Sequence, residues 1–435
     1  MAANPSYTGT AINALLPEII DRNVQDLFPQ DAEFITMFTQ DTQDKPANNR
    51  GRYYPYITAP PGSFGFTSPA GSADLVGTSA MTDSRILVTT AHLESGLEID
   101  YDAWVNNENG EAIIDAVVRN VTTQLGFFNK MRDIFASRGN GTAVLATASA
   151  TSANGATTIT CNGASDYIGT TNIFPGMQLD AYDATLATQR NTSSIKVQSV
   201  SGTVITVTAM VLSSSIVSTD VLIPAGQTAG LAGVPYHVAA TGAYFDKADR
   251  TLTPGLVASI ISSAGTLSAA LMIKLVMYVG RRAQTMNLEE HAWFTSTTIW
   301  PVYRNIAYTN SRFVWNEQRP TTDIGQKGRS KKKFKDLSFD GDPIYVFKYW
   351  VPDRMDFLRV QDFEHVVLKE VGPMMSPAGD WLQAFNGDTS NFRHAVVKYI
   401  DSFEQTYCNA VLNQGALTGL TISGSETATP KAIGI

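Results

Sequence analysis

The chain has 435 residues, a net charge of −8 and a pI near 5.2, with 43% hydrophobic and 17% charged residues. That length predicts two or three domains, and the apolar content excludes a disordered chain. The acidic balance argues against wholesale nucleic-acid binding, which wants a basic face, but not against a wall that encloses nucleic acid; so low a charge content fits a surface largely covered by other subunits.

Residues 1–50 read as an arm. ALLPEIIDRNVQDLF places Pro17 near a helix start, with Ile19, Ile20, Val24 and Leu27 at helical spacing and Pro29 as the stop. DTQDKPANN then has turn chemistry and almost nothing to bury. Within 51–100, RYYPYITAP and RILVTTAHLESGLEID are rich in β-branched and aromatic residues, whereas the Gly/Pro/Ser-rich stretch between them has no core of its own. The pattern predicts an extended, two-armed hairpin that makes sense lying on a neighbouring subunit. No lysine occurs between Lys45 and Lys130.

Residues 101–150 carry the strongest signal, a helix over Glu111–Arg138. Ile114, Val117, Val121, Leu125, Phe128 and Phe135 form the expected core face, joined by Val118 and Met131. Glu111 and Asp115 at its start and Lys130, Arg132 and Arg138 near its end complement the helix dipole. Gly139 stands where a left-handed cap residue is expected. The helix should be about 42 Å long, a strut spanning a domain. Its expected partners are the late strands within Phe339–Val371 and Phe392–Asn413.

A Thr/Ser-rich zone follows. ATTITC, GMQLDAYD, SSIKVQSV, TVITVTA and DVLIPAG read as short strands of a small all-β unit over 151–227, with a hairpin at Ser201-Gly202. In 228–338, TPGLVASIISSAG and LSAALMIKLVMYVGRRAQ read as helices, EEHAWFTSTTIW as a strand and PVYRNIA as a helix start. The apolar run Leu267–Gly280 is too short to span a bilayer and contains Lys274, so a buried helix is expected. Residues 339–413 read as return strands and 414–435 as a polar tail. The N-terminus lacks the basic start and apolar core of a signal peptide, which predicts a soluble protein not secreted by its own signal.

No catalytic arrangement emerges. His92, His237, His291, His365 and His394 show no metal-binding spacing, and Cys161 and Cys408 lie far apart without a Cys or His partner, which predicts reduced thiols and no zinc site. Phosphate-loop, dinucleotide and nucleophile-elbow motifs are missing, so neither enzymatic activity nor a cofactor is expected. Asn-X-Ser/Thr matches at Asn120, Asn140 and Asn191 are chance matches in a chain without a secretory signal. One charge cluster stands out: Lys327, Arg329, Lys331, Lys332, Lys333 and Lys335. It is either a solvated loop or an electrostatic contact, with enclosed phosphate or with acidic arm residues of neighbours such as Asp26, Asp31, Glu33, Asp41 and Asp44.

In this order, the arm ALLPEIIDRNVQDLF, the Gly/Pro-rich hairpin 51–100, the helix Glu111–Arg138, the β unit and FDGDPIYVFKYWVPDRMDFLRVQDFEHVVLKEVG resemble the major capsid protein of tailed double-stranded-DNA phages, the Hong Kong 97-type coat fold. The resemblance covers nearly the whole chain and rests on order and spacing. It implies an α+β fold with N-arm, extended loop, peripheral domain with long spine helix, and axial domain, plus a small all-β insertion domain. It implies hexamers and pentamers closing into an icosahedral shell that encloses double-stranded DNA without reading its sequence. Portal and scaffold proteins, and a cement protein, are the further partners; no membrane is involved. The place is the virion, with assembly in the host cytoplasm. The extended loop lacks the lysine of cross-linking members, so cross-linking by that route is not expected. With about fifty residues ahead of the loop, a separate scaffold is expected. An encapsulin-like compartment shell is the alternative, ahead of a β-rich surface or adhesion protein.

Overall fold

The computed structural model describes residues 34–41, 51–59, 82–100, 111–162, 170, 172–226, 228–247, 249–283, 288, 290–303, 306, 338–340, 342–374, 381–385 and 392–421. The expected helix in the arm, the hairpin tip, the basic run Lys327–Lys335 and the end of the tail lie outside them.

The first described segment is a 3-10 turn, Ile35–Met37, running into β1 (Thr39–Asp41), which pairs in parallel with β16 (Phe363–Pro373). Next, β2 (Gly51–Ala59) and β3 (Thr82–Thr89) pair as an antiparallel two-stranded ribbon, the two arms of the expected hairpin. The second arm does not stay with the first. Past Thr90 the chain re-forms as β4 (Ala91–Asp100), which leaves the ribbon and pairs with the 17-residue strand β18 (Phe392–Cys408). β17 (Trp381–Phe385) lies on the same side of β18 as β16, farther along it.

Helix α1 runs Glu111–Arg138, the bounds that its apolar stripe and charge distribution predict. Gly139 ends it for a different reason from the one expected. It is not in the left-handed region; its N–H donates to Phe135 O at 2.7 Å, and a Cβ there would sit 2.3 Å from Leu231 O. Glycine is needed because another backbone passes against the helix end. Gly233 meets it from the other side, donating to Gly139 O at 2.9 Å just before the short helix α2 (Val234–His237).

The Thr/Ser-rich zone is a closed barrel. β5 (Ala146–Thr147), β6 (Thr158–Thr160), β7 (Gln178–Tyr182), β8 (Ile195–Ser201), β9 (Val204–Val207) and β10 (Val221–Pro224) follow the order β5-β10-β7-β8-β9-β6. The ends join through an Ala148–Cys161 bridge and hydrogen bonds Ser149 N–H to Thr160 O (2.9 Å) and Asn162 N–H to Thr147 O (2.8 Å). Closure removes the exposed edges that an open sheet of this composition would carry. The first strand lies ahead of the Thr151 boundary read from the sequence. The barrel is not an appendage: Met131, Ile134 and Phe135 of α1 share one apolar core with Ile159, Leu179, Ile195, Ile205 and Leu222.

The third unit is a mixed sheet in the order β11-β19-β15-β12-β14-β13. Its strands are β11 (Ser259–Ile261), β12 (Ala292–Ser296), β13 (Ser338–Phe339), β14 (Asp342–Phe347), β15 (Met355–Leu358) and β19 (Gly415–Leu417). Strand alternation buries both faces. Trp293, Ile344 and Phe357 face helix α3 (Ala269–Arg282), while Phe294, Phe347 and Leu358 face the aromatic core under the arm. The stretch TPGLVASIISSAG, expected to be helical, is a 3-10 turn Pro254–Leu256 followed by β11. Parallel pairing of Ser259–Ile261 with Gly415–Leu417 satisfies its backbone, and β-branched Ile260 and Ile261 fit that strand.

Candidate functional site

The C-terminal half of α1 is where arm, ribbon, barrel and sheets converge, and its side chains are arranged to lock rather than to react. Asp133, 3% exposed, accepts hydrogen bonds from the Phe34 and Ile35 N–H groups at 2.8 and 2.9 Å. This pins the arm at its first buried turn. Phe34 is fully buried against Phe38, Trp350, Phe347 and Phe294, with ring centroids 4.8, 4.9, 5.4 and 5.8 Å away. The sequence reading missed this anchor; an aromatic pair one helical turn apart, Phe34 and Phe38, was the available signal.

The residue before Asp133, Arg132, makes a two-pronged ion pair with Glu404 of β18, Nε to Oε1 at 2.6 Å and Nη2 to Oε2 at 2.5 Å. His365 of β16 meets the same carboxylate at 2.8 Å. Burial pushes the Glu404 carboxyl up, but the hydrogen bonds from His365 and Arg132 outweigh it and hold the pKa below the ordinary value. Lys369 pairs with Asp401 on the same strands, and His92 of β4 stands 3.5 Å from that carboxylate while its ring stacks on Phe403 at 4.3 Å. Gln124 donates to Ser95 O at 2.7 Å, tying α1 to β4. Ser137 reaches Tyr349 O at 3.3 Å.

Toward the barrel, Lys130 is 1% exposed and sets its ammonium 3.6 Å from the centre of the Phe174 ring, whose edge also meets Phe127. Burial, with Lys348 nearby, pulls the Lys130 amine down to about 8. Beside it a cavity of about 190 Å³ lies between Ile134, Phe135 and Arg138 of α1 and Val144, Leu145 and Asn172 of the barrel side.

Other buried polar groups serve the same purpose. Arg250 donates to the carbonyls of His237, Ala239, Tyr236 and Ala243 at 3.1, 3.3, 2.8 and 3.1 Å. His237 sits between the Tyr244 hydroxyl (3.1 Å) and the Thr406 hydroxyl (3.0 Å). Burial, aided by neighbouring Arg250, pulls its pKa to about 3, so the ring is neutral at working pH. In the mixed sheet, Arg354 pairs with fully buried Asp356 at 2.7 Å, and Trp350 Nε1–H donates to that carboxylate at 2.9 Å. Burial raises the Asp356 pKa despite Arg354.

Of the expected core face, Phe128 and Phe135 are buried at 4% and 7% and Val121 is half-buried. Leu125 departs from it, 39% exposed. Three residues before Phe128 on the helix, it stands at the edge of the same stripe, where the described residues cover it only in part. The side chains of Ile114 and Val117 lie outside those described. Cys161 and Cys408 are free and buried, and burial raises both thiol pKa values, Cys161 to about 12. Among the described residues no group of His, Cys, Asp or Glu side chains is placed to hold a metal ion, and no helix is long and apolar enough to cross a membrane.

No family model and no curated protein matches the sequence. Solved structures do. A chain of the cyanophage A-1(L) capsid asymmetric unit superposes with a TM-score of 0.54 at 10% identity, over 95% of this chain and 99% of that one. A chain from the capsid of the native GTA particle gives 0.49 at 8% identity, over 96% and 100%. The first likeness spans both chains almost end to end, and it gives this chain the fold of a phage capsid protein.

Proposed function

We propose that this chain is the major capsid protein of a tailed bacteriophage, assembling into hexamers and pentamers of an icosahedral shell around double-stranded DNA. The observation that carries the reading is the near end-to-end match to a capsid chain. In Hong Kong 97-type terms, 1–50 is the N-arm, 51–100 the extended loop, 101–150 the peripheral domain with the spine helix and 151–227 the insertion domain. Residues 228–338 with 339–413 then form the axial domain and its return strands; of the 414–435 segment expected as a polar tail, Gly415–Leu417 belongs instead to the mixed sheet as β19, because β11 and β15 pair with it. Portal, scaffold and cement proteins are the expected partners, with the virion as destination and the host cytoplasm as assembly site. A wall needs large complementary surfaces and rigid subunits. The buried locks around α1 supply rigidity, and a net negative chain would not glue packaged DNA to the wall.

Electron microscopy of the chain expressed alone and with a scaffold tests the reading. Isometric shells are expected; discrete subunits in every condition would overturn it. Denaturing gels of mature shells should show only monomer-sized bands, given a hairpin without lysine.

A further inference from the structure

Helix α3 has a buried face and an outward face, and the outward one is unlike a solvated helix surface. Ser268 caps the start, accepting from Leu271 N–H at 3.3 Å. Met272, Leu275 and Val279 are fully buried against the sheet, where Gly415 lets the helix come close: a Cβ there would lie 2.6 Å from Val279 Cγ2. On the other side Ile273 is 49% exposed, Met277 51% and Tyr278 38%. Ile273 and Met277 are one turn apart and so adjacent on the surface. The exposed charged residues that α3 itself sets beside them are cations, Lys274 and Arg281, and α3 contains no acidic residue. Among the described residues no acid pairs with either cation; Lys274 lies 5.6 Å from the Tyr278 ring centre.

We infer that Ile273, Lys274, Met277, Tyr278 and Arg281 seat a second copy of this chain in a head-to-tail contact. An apolar centre with a charged rim is the anatomy of a protein interface. A polyphosphate backbone would leave Ile273 and Met277 against polar groups and water, whereas a protein surface covers them. The occupant must bring acidic groups to the rim, and this chain has them in excess, 40 acidic against 32 basic residues. Those acids are not on α3. Two α3 faces related by a twofold axis would therefore bring cations only against cations. The patch must meet a different region of its neighbour, the heterologous geometry that closes into rings. The inference rests on the shell-forming reading and adds which surface joins neighbours and in what symmetry.

Met277→Cys tests it. The chain's other cysteines, Cys161 and Cys408, are each 1% exposed, so the new thiol is the one open to maleimide in folded protein. It should label quickly in dissociated subunits and lose that labelling in empty shells. Equal labelling in both states overturns the inference, as does protection that appears only once shells contain DNA. A double variant, Ile273→Glu with Met277→Glu, should keep the wild-type circular dichroism and melting temperature yet form no shells. Wild-type shell yield from that folded variant overturns the inference alone. If the unaltered chain never forms particles, the shell reading falls and takes the inference with it.

Discussion

The barrel and the mixed sheet each have six strands, yet they are held together by different means. The barrel core is aliphatic, built from Ile159, Leu179, Ile195, Val197, Ile205 and Leu222. β7, β8 and β9 pair with their sequence neighbours, β8 and β9 through the tight turn at Gly202-Thr203, and the circle closes on itself. The mixed sheet joins β11 to β19 across most of the C-terminal half of the chain. Its core is aromatic, with Trp293, Phe294, Phe347, Trp350 and Phe357, and ionised groups lie buried within it. Local pairing needs little besides apolar alternation to specify it. Distant pairing pays more loop-closure entropy, and the buried polar contacts that accompany it, such as the pair of Arg354 with Asp356, penalise any other register because they would be left unpaired.

Helix α1 belongs to both regions, and a charge in its core face should have the largest effect. Phe128→Asp should abolish soluble subunit, because an unpaired carboxylate would be buried at a side chain only 4% exposed. Leu125→Asp, at a position 39% exposed, should leave the soluble fraction unchanged. Normal shells from Phe128→Asp would remove α1 from its central role.

Ion pairs separate the two regions next. Arg354→Met should cost about 3–5 kcal/mol in urea unfolding, since it strands a buried carboxylate, and adding Asp356→Leu should recover much of the loss. In the barrel, the pair of Arg190 with Asp220 (3.0 Å) leaves the arginine 22% exposed over a buried carboxylate, which also accepts a hydrogen bond from Val217 N–H at 2.9 Å. Arg190→Met should produce a much smaller change in the same measurement. Equal losses would erase the distinction between the regions.

The last test is a pH slope. His237 has its pKa depressed from 6.5 to about 3 in the folded chain. Its stabilising contribution is therefore complete above pH 6.5 and lost as pH falls toward 3, because the unfolded chain takes up a proton that the folded chain refuses. The slope should reach about 1.4 kcal/mol per pH unit between those limits. His237→Asn should be less stable at pH 7 but flatter by that amount between pH 6 and 4, read from urea midpoints. An unchanged slope would mean that His237 carries a proton when folded.

Much of this molecule was legible before any coordinates. The bounds of α1, the barrel strands β6 to β10 and the strand nature of the late segments follow from apolar period, β-branching and turn residues, which act over a few neighbours. What tertiary structure alone decided depends on partners distant in sequence. Ser259–Ile261 is a strand because Gly415–Leu417 lies beside it. β4 leaves β3 because β18 offers it ten paired positions. Phe34 is core rather than arm because Asp133 and the aromatic ring cluster receive it. The barrel is fused to the spine rather than projecting from it because Met131, Ile134 and Phe135 complete its apolar core. Local propensity selects the elements, whereas burial and buried hydrogen bonds select their neighbours, and those energies exist only once the chain has come together.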